Sequence, residues 1–214
     1  SQDGNAGYAV ATAVPRDFDI AQASQTIVFI PDPLPTRTFG DLPFPLNVSG
    51  GGSGSIVEVI STATDVCNVE IVPVTLVKTV TLLNAGICTL QATQAGNVNY
   101  KPAPLLLKQF EAKQKSQTIT FTAPGNKTFI EPFLIFDLVA TSDGPNSTPI
   151  VFASTTTGVC TVSGGKATIV GAGSCAITAD KAGDKNYAAA TQVKQTFTVA
   201  KGVQLIDFKQ IIVT

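Results

Sequence analysis

KAGDKNYAAATQVKQTFTVAKGVQLI, residues 181–206, occurs in this chain in three versions. QAGNVNYKPAPLLLKQFEAKQKSQTI (94–119) and SQDGNAGYAVATAVPRDFDIAQASQTI (1–27) follow the same plan: a Tyr (Tyr187, Tyr100, Tyr8), small residues, then a Phe in an alternating stretch (Phe197, Phe110, Phe18). The Tyr positions lie 92 and 87 residues apart and the Phe positions keep the same two steps, so one register runs through the chain. After each copy comes a strand-like opening: Gln25-Thr26-Ile27-Val28-Phe29, Gln117-Thr118-Ile119-Thr120-Phe121 and Gln204-Leu205-Ile206-Asp207-Phe208. Between the copies, Val66-Cys67 recurs as Val159-Cys160, and Gly86-Ile87-Cys88 as Gly173-Ser174-Cys175.

Solenoid units run about 20–50 residues. A period near 90 fits small domains in a row, each with its own core. The division this predicts is the C-terminal strand region of a preceding repeat over 1–22, complete repeats over 23–113 and 114–201, and the first strand of a following repeat over 202–214. The chain reads as a window on a longer array, with Ser1 as a processing boundary in a sequence that contains no Met.

At 44% apolar and 14% charged residues the chain is composed to fold rather than to stay disordered. Thr, Val and other β-branched residues favour a pleated surface. A net charge of -1 leaves no basic patch for a phosphate backbone, so nucleic acid is not expected as a partner. No apolar run approaches the roughly 18–20 residues of a membrane span. The four cysteines occupy equivalent places, two per repeat: Cys67 with Cys88 and Cys160 with Cys175. Three connectivities are open, and pairing within each repeat is the one that each bead can satisfy alone. A four-thiolate metal site would want closely spaced Cys-x-x-Cys pairs, which are missing. Disulfides imply an oxidising compartment, hence a secreted, surface or periplasmic location, with extracellular or cell surface the leading expectation.

Within the second repeat, SQTITFTAP (116–124) alternates and FLIFDLVATS (133–142) is a second strand. DGPNSTP (143–149) is a turn cluster, CTVS and KATIV flank Gly164-Gly165, and VKQTFTVAK (193–201) puts Phe197 and Val199 on one face. Six or seven short strands per repeat with no 3.6-residue period predict an all-β fold of antiparallel sandwiches. SGGGSGS (49–55) looks like a linker but aligns with DGPNSTP, which makes it a loop inside the first repeat. The junctions are 111–117 and 199–204, short enough to predict a rod in which each bead adds roughly 40 Å.

QTITF, VCTVSGGKATIVGAGSCAITA and AGDKNYAAATQVKQTFTVAK together resemble the bacterial Ig-like repeats found in tandem in large cell-surface and adhesin-type proteins. The first repeat departs from the pattern, replacing the Gly-Gly hairpin with a longer one over 66–88 that has no Gly before Gly86. The resemblance implies tandem Ig-like sandwiches in an extracellular array, and no chemistry.

No His is present, which removes Ser-His-Asp and Cys-His schemes. Asp17 and Asp19 flank Phe18 on one strand face, and a solvated face outweighs a paired-carboxylate role there by about twenty to one. Asp3, Asp143 and Asp184 sit in Gly-rich turns, where a backbone role outweighs calcium binding. Tyr8, Tyr100 and Tyr187 read as anchors of a loop rather than ligand platforms. Asn47, Asn126 and Asn146 begin acceptor sequons, read as accidental in a bacterial protein.

No enzyme, cofactor or metal is expected. The leading functional expectation is a structural stalk or fibre segment whose partners are neighbouring repeats or subunits of the same protein. A second is a module that binds a surface glycan or protein receptor through Gly50, Gly51, Ser53, Asp143 and Asn146. A third is a filament subunit whose terminal strands, carrying Phe18, Ile20, Ile206 and Phe208, pair between molecules.

Overall fold

The computed structural model describes residues 2–72, 77–129 and 134–204. The described residues hold strands and no helix, and they divide into two beads of one design. The first contains β1 (Val28–Ile30), β2 (Arg37–Thr38), β3 (Phe44–Ser49), β4 (Val57–Ser61), β5 (Cys67–Ile71), β6 (Lys78–Leu82), β7 (Gly86–Gln94) and β8 (Leu106–Lys113). The second contains β9 (Ile119–Phe121), β10 (Lys127–Thr128), β11 (Ile135–Asp137), β12 (Ala140–Ser142), β13 (Ile150–Ser154), β14 (Cys160–Ser163), β15 (Lys166–Ile169), β16 (Gly173–Lys181) and β17 (Val193–Ala200).

In the first bead one sheet runs β1-β3-β6-β5 and the other β2-β8-β7-β4. The second bead repeats the latter as β10-β17-β16-β13, with the short β2 and β10 lying parallel to the last strand of their bead. Its other sheet is the same layer in two pieces, β12-β9 and β11-β15-β14. The second strand expected over 133–142 is interrupted between β11 and β12: the Leu138 N–H still follows the β15 register, donating to the Gly165 carbonyl at 2.8 Å, and from Val139 the chain pairs with the β9 side instead. Leu46 and Leu138, buried at the same step, mark where this strand changes partner in each bead.

Alternation fills the two interiors. Phe29, Val80, Leu90 and Phe110 meet in one core, and Phe121, Ile169, Ile177 and Phe197 in the other. Phe44 meets Phe110 edge-on at 5.8 Å and Phe136 meets Phe197 at 5.9 Å, tying the two layers at matching points. Arg37 caps Phe44 and Lys127 caps Phe136, at 4.2 and 5.0 Å from the ring centres. The cysteines pair within each bead, Cys67 with Cys88 and Cys160 with Cys175. Each bridge joins a strand of one sheet to a strand of the other, with all four residues fully buried.

No strand forms over Phe18 and Ile20, which are 82% and 85% exposed, because that stretch has no neighbouring strand to supply a ladder. Ile206 and Phe208 lie outside the described residues. The long hairpin of the first bead closes in regular antiparallel register from Cys67↔Leu82 to Ile71↔Lys78, and the Val72 N–H donates to the Val77 carbonyl at 2.9 Å.

Bridges that close 21- and 15-residue separations should each contribute about 3 kcal/mol by restricting the unfolded chain. Replacing Cys160 and Cys175 by Ala is expected to lower denaturant stability of the second bead by about that amount, while leaving the first bead's transition in place.

Candidate functional site

The recurring Tyr stretch folds into a clip. In all three copies a Gly is followed by Asn or Asp, two more residues and Tyr: Gly4 to Tyr8, Gly96 to Tyr100 and Gly183 to Tyr187. The N–H of Asn5, Asn97 or Asp184 donates to the carbonyl of its Tyr at 2.9 Å in each copy. The side-chain oxygen of the same residue takes backbone N–H groups in return. Asn97 accepts from Asn99 and Tyr100 at 2.8 and 2.9 Å, Asp184 from Asn186 and Tyr187 at 2.8 Å each, and Asn5 from Gly7 at 2.9 Å. Glycine is required at the head because a Cβ on Gly4, Gly96 or Gly183 would collide with that Tyr carbonyl.

The clip holds the chain as it enters the bead. Ala23 bridges in parallel to Tyr100, its N–H donating to the Asn99 carbonyl at 2.8 Å, and Lys115 bridges to Tyr187 through the Asn186 carbonyl at 2.9 Å. Two residues on, a buried Gln completes the grip. Gln25 Nε2 donates to the Ala95 and Lys101 carbonyls at 3.1 and 2.8 Å, and Gln117 Nε2 to those of Ala182 and Ala188 at 3.0 and 2.8 Å. Burial makes these bonds expensive to break, since each leaves a backbone acceptor without water.

The loops expected to face a ligand are folded onto this clip. Cβ atoms on Gly50, Gly51 and Gly52 would strike Gln94, Gln25 and Tyr100 respectively, so the glycines let the loop lie flat on those side chains. Ser53 donates its N–H to Gln25 Oε1 at 3.0 Å and its hydroxyl to the Ala95 carbonyl at 2.9 Å. In the second bead Asp143 accepts the Thr118 N–H at 2.6 Å, and Gly144 abuts Gln117. Asn146 lies exposed in the same loop, beside the Pro145 and Thr148 carbonyls that buried Lys181 caps with its ammonium. Asp143 and Asp184 therefore serve as backbone acceptors. Their carboxyls are held below the usual range, Asp143 chiefly by the Thr118 N–H and Asp184 by those of Asn186 and then Tyr187. No group of three metal-ligating side chains occurs among the described residues.

The outer side of the second clip meets the first bead. Asn186 Oδ1 accepts the Ala85 N–H at 2.9 Å while its Nδ2 donates to Asn84 Oδ1 at 3.0 Å. Tyr187 packs edge-on against Phe39 at 5.8 Å, and Lys185 reaches Asp65 at 3.4 Å. Gln114, in the connector, donates to the Asp184 carbonyl at 2.6 Å. An open cleft of about 520 Å³ lies beside these contacts, lined by Ala85, Gly86, Glu111, Lys113, Lys185 and Ala188. The exposed ion pair is worth about 0–1 kcal/mol, the aromatic pair about 0.5–1.5 and each hydrogen bond about 0.5–1.5 net. A few kcal/mol suffices here because a short connector already holds the partners together.

No protein-family model matches the chain, and no curated protein matches it. Among solved structures it is similar to Drosophila N-cadherin EC1–3 (10% identity, 83% of this chain and 68% of that one, TM-score 0.33). It is also similar to Clostridium thermocellum CbhA fibronectin(III)-like modules (16%, 86% and 100%, TM-score 0.33) and to the D00–D0 domain of intimin (11%, 80% and 98%, TM-score 0.34). Likenesses at this level carry no argument about this chain, whose fold rests on its own strand order and register.

Two outcomes follow. Gly96→Ala and Gly183→Ala should each destabilise their own bead by about 1–3 kcal/mol through the forced clash, measured by urea denaturation. Because its carboxyl is depressed in the folded state, Asp184 contributes stability that is present above the unfolded carboxylate pKa near 3.9 and lost as pH falls through the lower folded value. Asp184→Asn, which installs the side chain that serves at Asn97, should flatten that part of the acid response in unfolding curves followed from pH 6 to 2.

Proposed function

We propose that this chain is a load-bearing spacer: a non-catalytic, extracellular run of Ig-like beads in a bacterial surface stalk, fibre or adhesin. The observation that carries this reading is the double use of the clip. The loop that fastens the connector into the second bead also grips the first through Asn186 and Tyr187, so closing a bead and fixing its orientation are one event. An inter-sheet disulfide in each bead supports residence in an oxidising compartment. The loops Gly50–Ser53 and Asp143–Asn146 are largely engaged within their own beads, which favours a spacer over a receptor-binding module.

A second reading draws on residues 2–22. Val14, Arg16, Phe18 and Ile20 match Leu106, Lys108, Phe110 and Ala112, the inward-facing residues of β8, and Phe18 and Ile20 lie exposed. Such a segment could complete a sandwich in another molecule by adding its strand to an open edge.

Orientation can be read directly. Residual dipolar couplings and small-angle scattering on dilute protein should report two beads tumbling as one elongated body, and Asn186→Ala with Tyr187→Ala should release them into independent motion without lowering either bead's unfolding midpoint by more than a few degrees. Independent tumbling in the unaltered chain would sink the spacer reading.

A further inference from the structure

Each disulfide carries a hydroxyl on one of its two sulfurs. Ser61-Thr62-Ala63-Thr64-Asp65-Val66-Cys67 recurs as Ser154-Thr155-Thr156-Thr157-Gly158-Val159-Cys160. Both stretches fold into a turn in which the cysteine N–H donates to a carbonyl four residues back, Cys67 to Ala63 at 3.0 Å and Cys160 to Thr156 at 3.1 Å. Ser61 Oγ accepts the Ala63 N–H and Ser154 Oγ the Thr156 N–H, each at 3.1 Å. The same hydroxyls lie 3.1 Å from Cys67 Sγ and 3.4 Å from Cys160 Sγ. A sulfur in a disulfide has no hydrogen to give, so the hydroxyl is the donor. Thr156 Oγ1, which accepts the Ala176 N–H at 2.8 Å, offers Cys160 Sγ a second and longer contact at 3.6 Å.

The other sulfur of each bridge has different surroundings. Cys88 lies on the inner strand β7 opposite Phe110, and Cys175 on the inner strand β16 opposite Phe197, both fully buried in the apolar cores. Among the described residues no hydrogen bond reaches either sulfur. A thiolate released on Cys67 or Cys160 meets a hydroxyl already aimed at it, and hydrogen bonds to a charged acceptor are the stronger kind. A thiolate released on Cys88 or Cys175 would be an unpaired charge among apolar side chains. In thiol–disulfide exchange the sulfur whose thiolate is better stabilised departs faster.

We infer that Cys88 and Cys175 are sites of thiolation by low-molecular-weight thiols, with Cys67 and Cys160 as the sulfurs set free. The incoming thiol loses its proton to the medium and its thiolate attacks Cys88 Sγ. A new S–S bond forms there, the Cys67–Cys88 bond breaks, and the electron pair leaves on Cys67 Sγ, where the Ser61 hydroxyl holds it. The small thiol is oxidised and Cys67 is reduced. In reverse, the Cys67 thiolate attacks the adduct, expels the small thiol and restores the bridge with no further oxidant. All four sulfurs are fully buried, so attack waits on a transient opening of the bead. Donor and sulfur lie six residues apart in one turn, so that opening does not have to break their contact. The inference stands on the bridges alone and is independent of the spacer reading.

The test uses the whole chain, in urea just below its unfolding transition, exposed briefly to reduced glutathione, quenched in acid, alkylated and mapped by peptide mass spectrometry. Glutathione adducts on Cys88 and Cys175 should outnumber those on Cys67 and Cys160 several-fold. Ser61→Ala should bring the ratio in the first bead towards one and leave that in the second unchanged, whereas Ser61→Thr, which keeps a hydroxyl, should preserve it. The ratio in the unaltered chain decides the matter even where a variant folds poorly. Equal adducts on both sulfurs, a preference for Cys67 and Cys160, a ratio that Ser61→Ala does not move, or the same skew in guanidinium, where the turn is lost, would each overturn the inference.

Discussion

The close approach of Gly96 to the Tyr100 carbonyl, and of Gly183 to that of Tyr187, is the constraint on which the rest of this molecule turns. Only a residue without a Cβ allows the chain to double back so tightly that Asn97 or Asp184 can close on its own Tyr. Once closed, the loop presents the carbonyls of residues 99 and 186 outward as sockets for an incoming backbone. The entering strand therefore needs no long connector, and its Gln seals the arrangement from inside.

That local geometry couples levels of structure that are independent in many tandem proteins. The cores of the two beads are separate and each is stapled across its sheets, so folding of one does not require the other. Orientation does require both, because Asn186 and Tyr187 are placed by the second bead's clip and contact Ala85 and Phe39 of the first. Exposed side chains such as Lys185 and Asp65 add to that contact. Weak exposed contacts can do this, since orientation needs only to exceed thermal energy by a few kcal/mol, whereas folding must outweigh the entropy of a whole chain.

Much of the architecture was legible in the chain. Alternation around Phe197 and Val199, and around Phe110, identified core strands whose burial the structure shows. Paired cysteines at matching positions indicated a bridge within each bead, and Tyr100 and Tyr187 sit where the loop-anchor reading put them, whereas Tyr8 is 79% exposed. The junction itself was harder to see. Phe39 sits in a stretch without alternation, and Asn186 looks like any polar turn residue until a backbone N–H from 101 positions away arrives at it. The Gly50–Gly52 run, linker-like but placed by alignment inside the first bead, does lie there, and its glycines reflect the lack of space against Gln94, Gln25 and Tyr100. The recurring Gly4, Gly96 and Gly183 were a signal that could have located the clip, because a glycine repeated in register implies a close approach each time.

By itself, then, the sequence determined what depends on neighbours along the chain and on polarity: the period, the strands, which faces turn inward, and the two sulfur pairs. Alternation and turn chemistry act over a few residues, and burial follows from them without reference to distant partners. Only the tertiary structure decided which carbonyls Gln25 and Gln117 would hold, where the second strand of the later bead would break at Leu138, and how one bead would grip the next. Those outcomes depend on backbone groups brought together from far apart in the chain, whose N–H and C=O are the same at every residue and so leave no mark in the order of side chains.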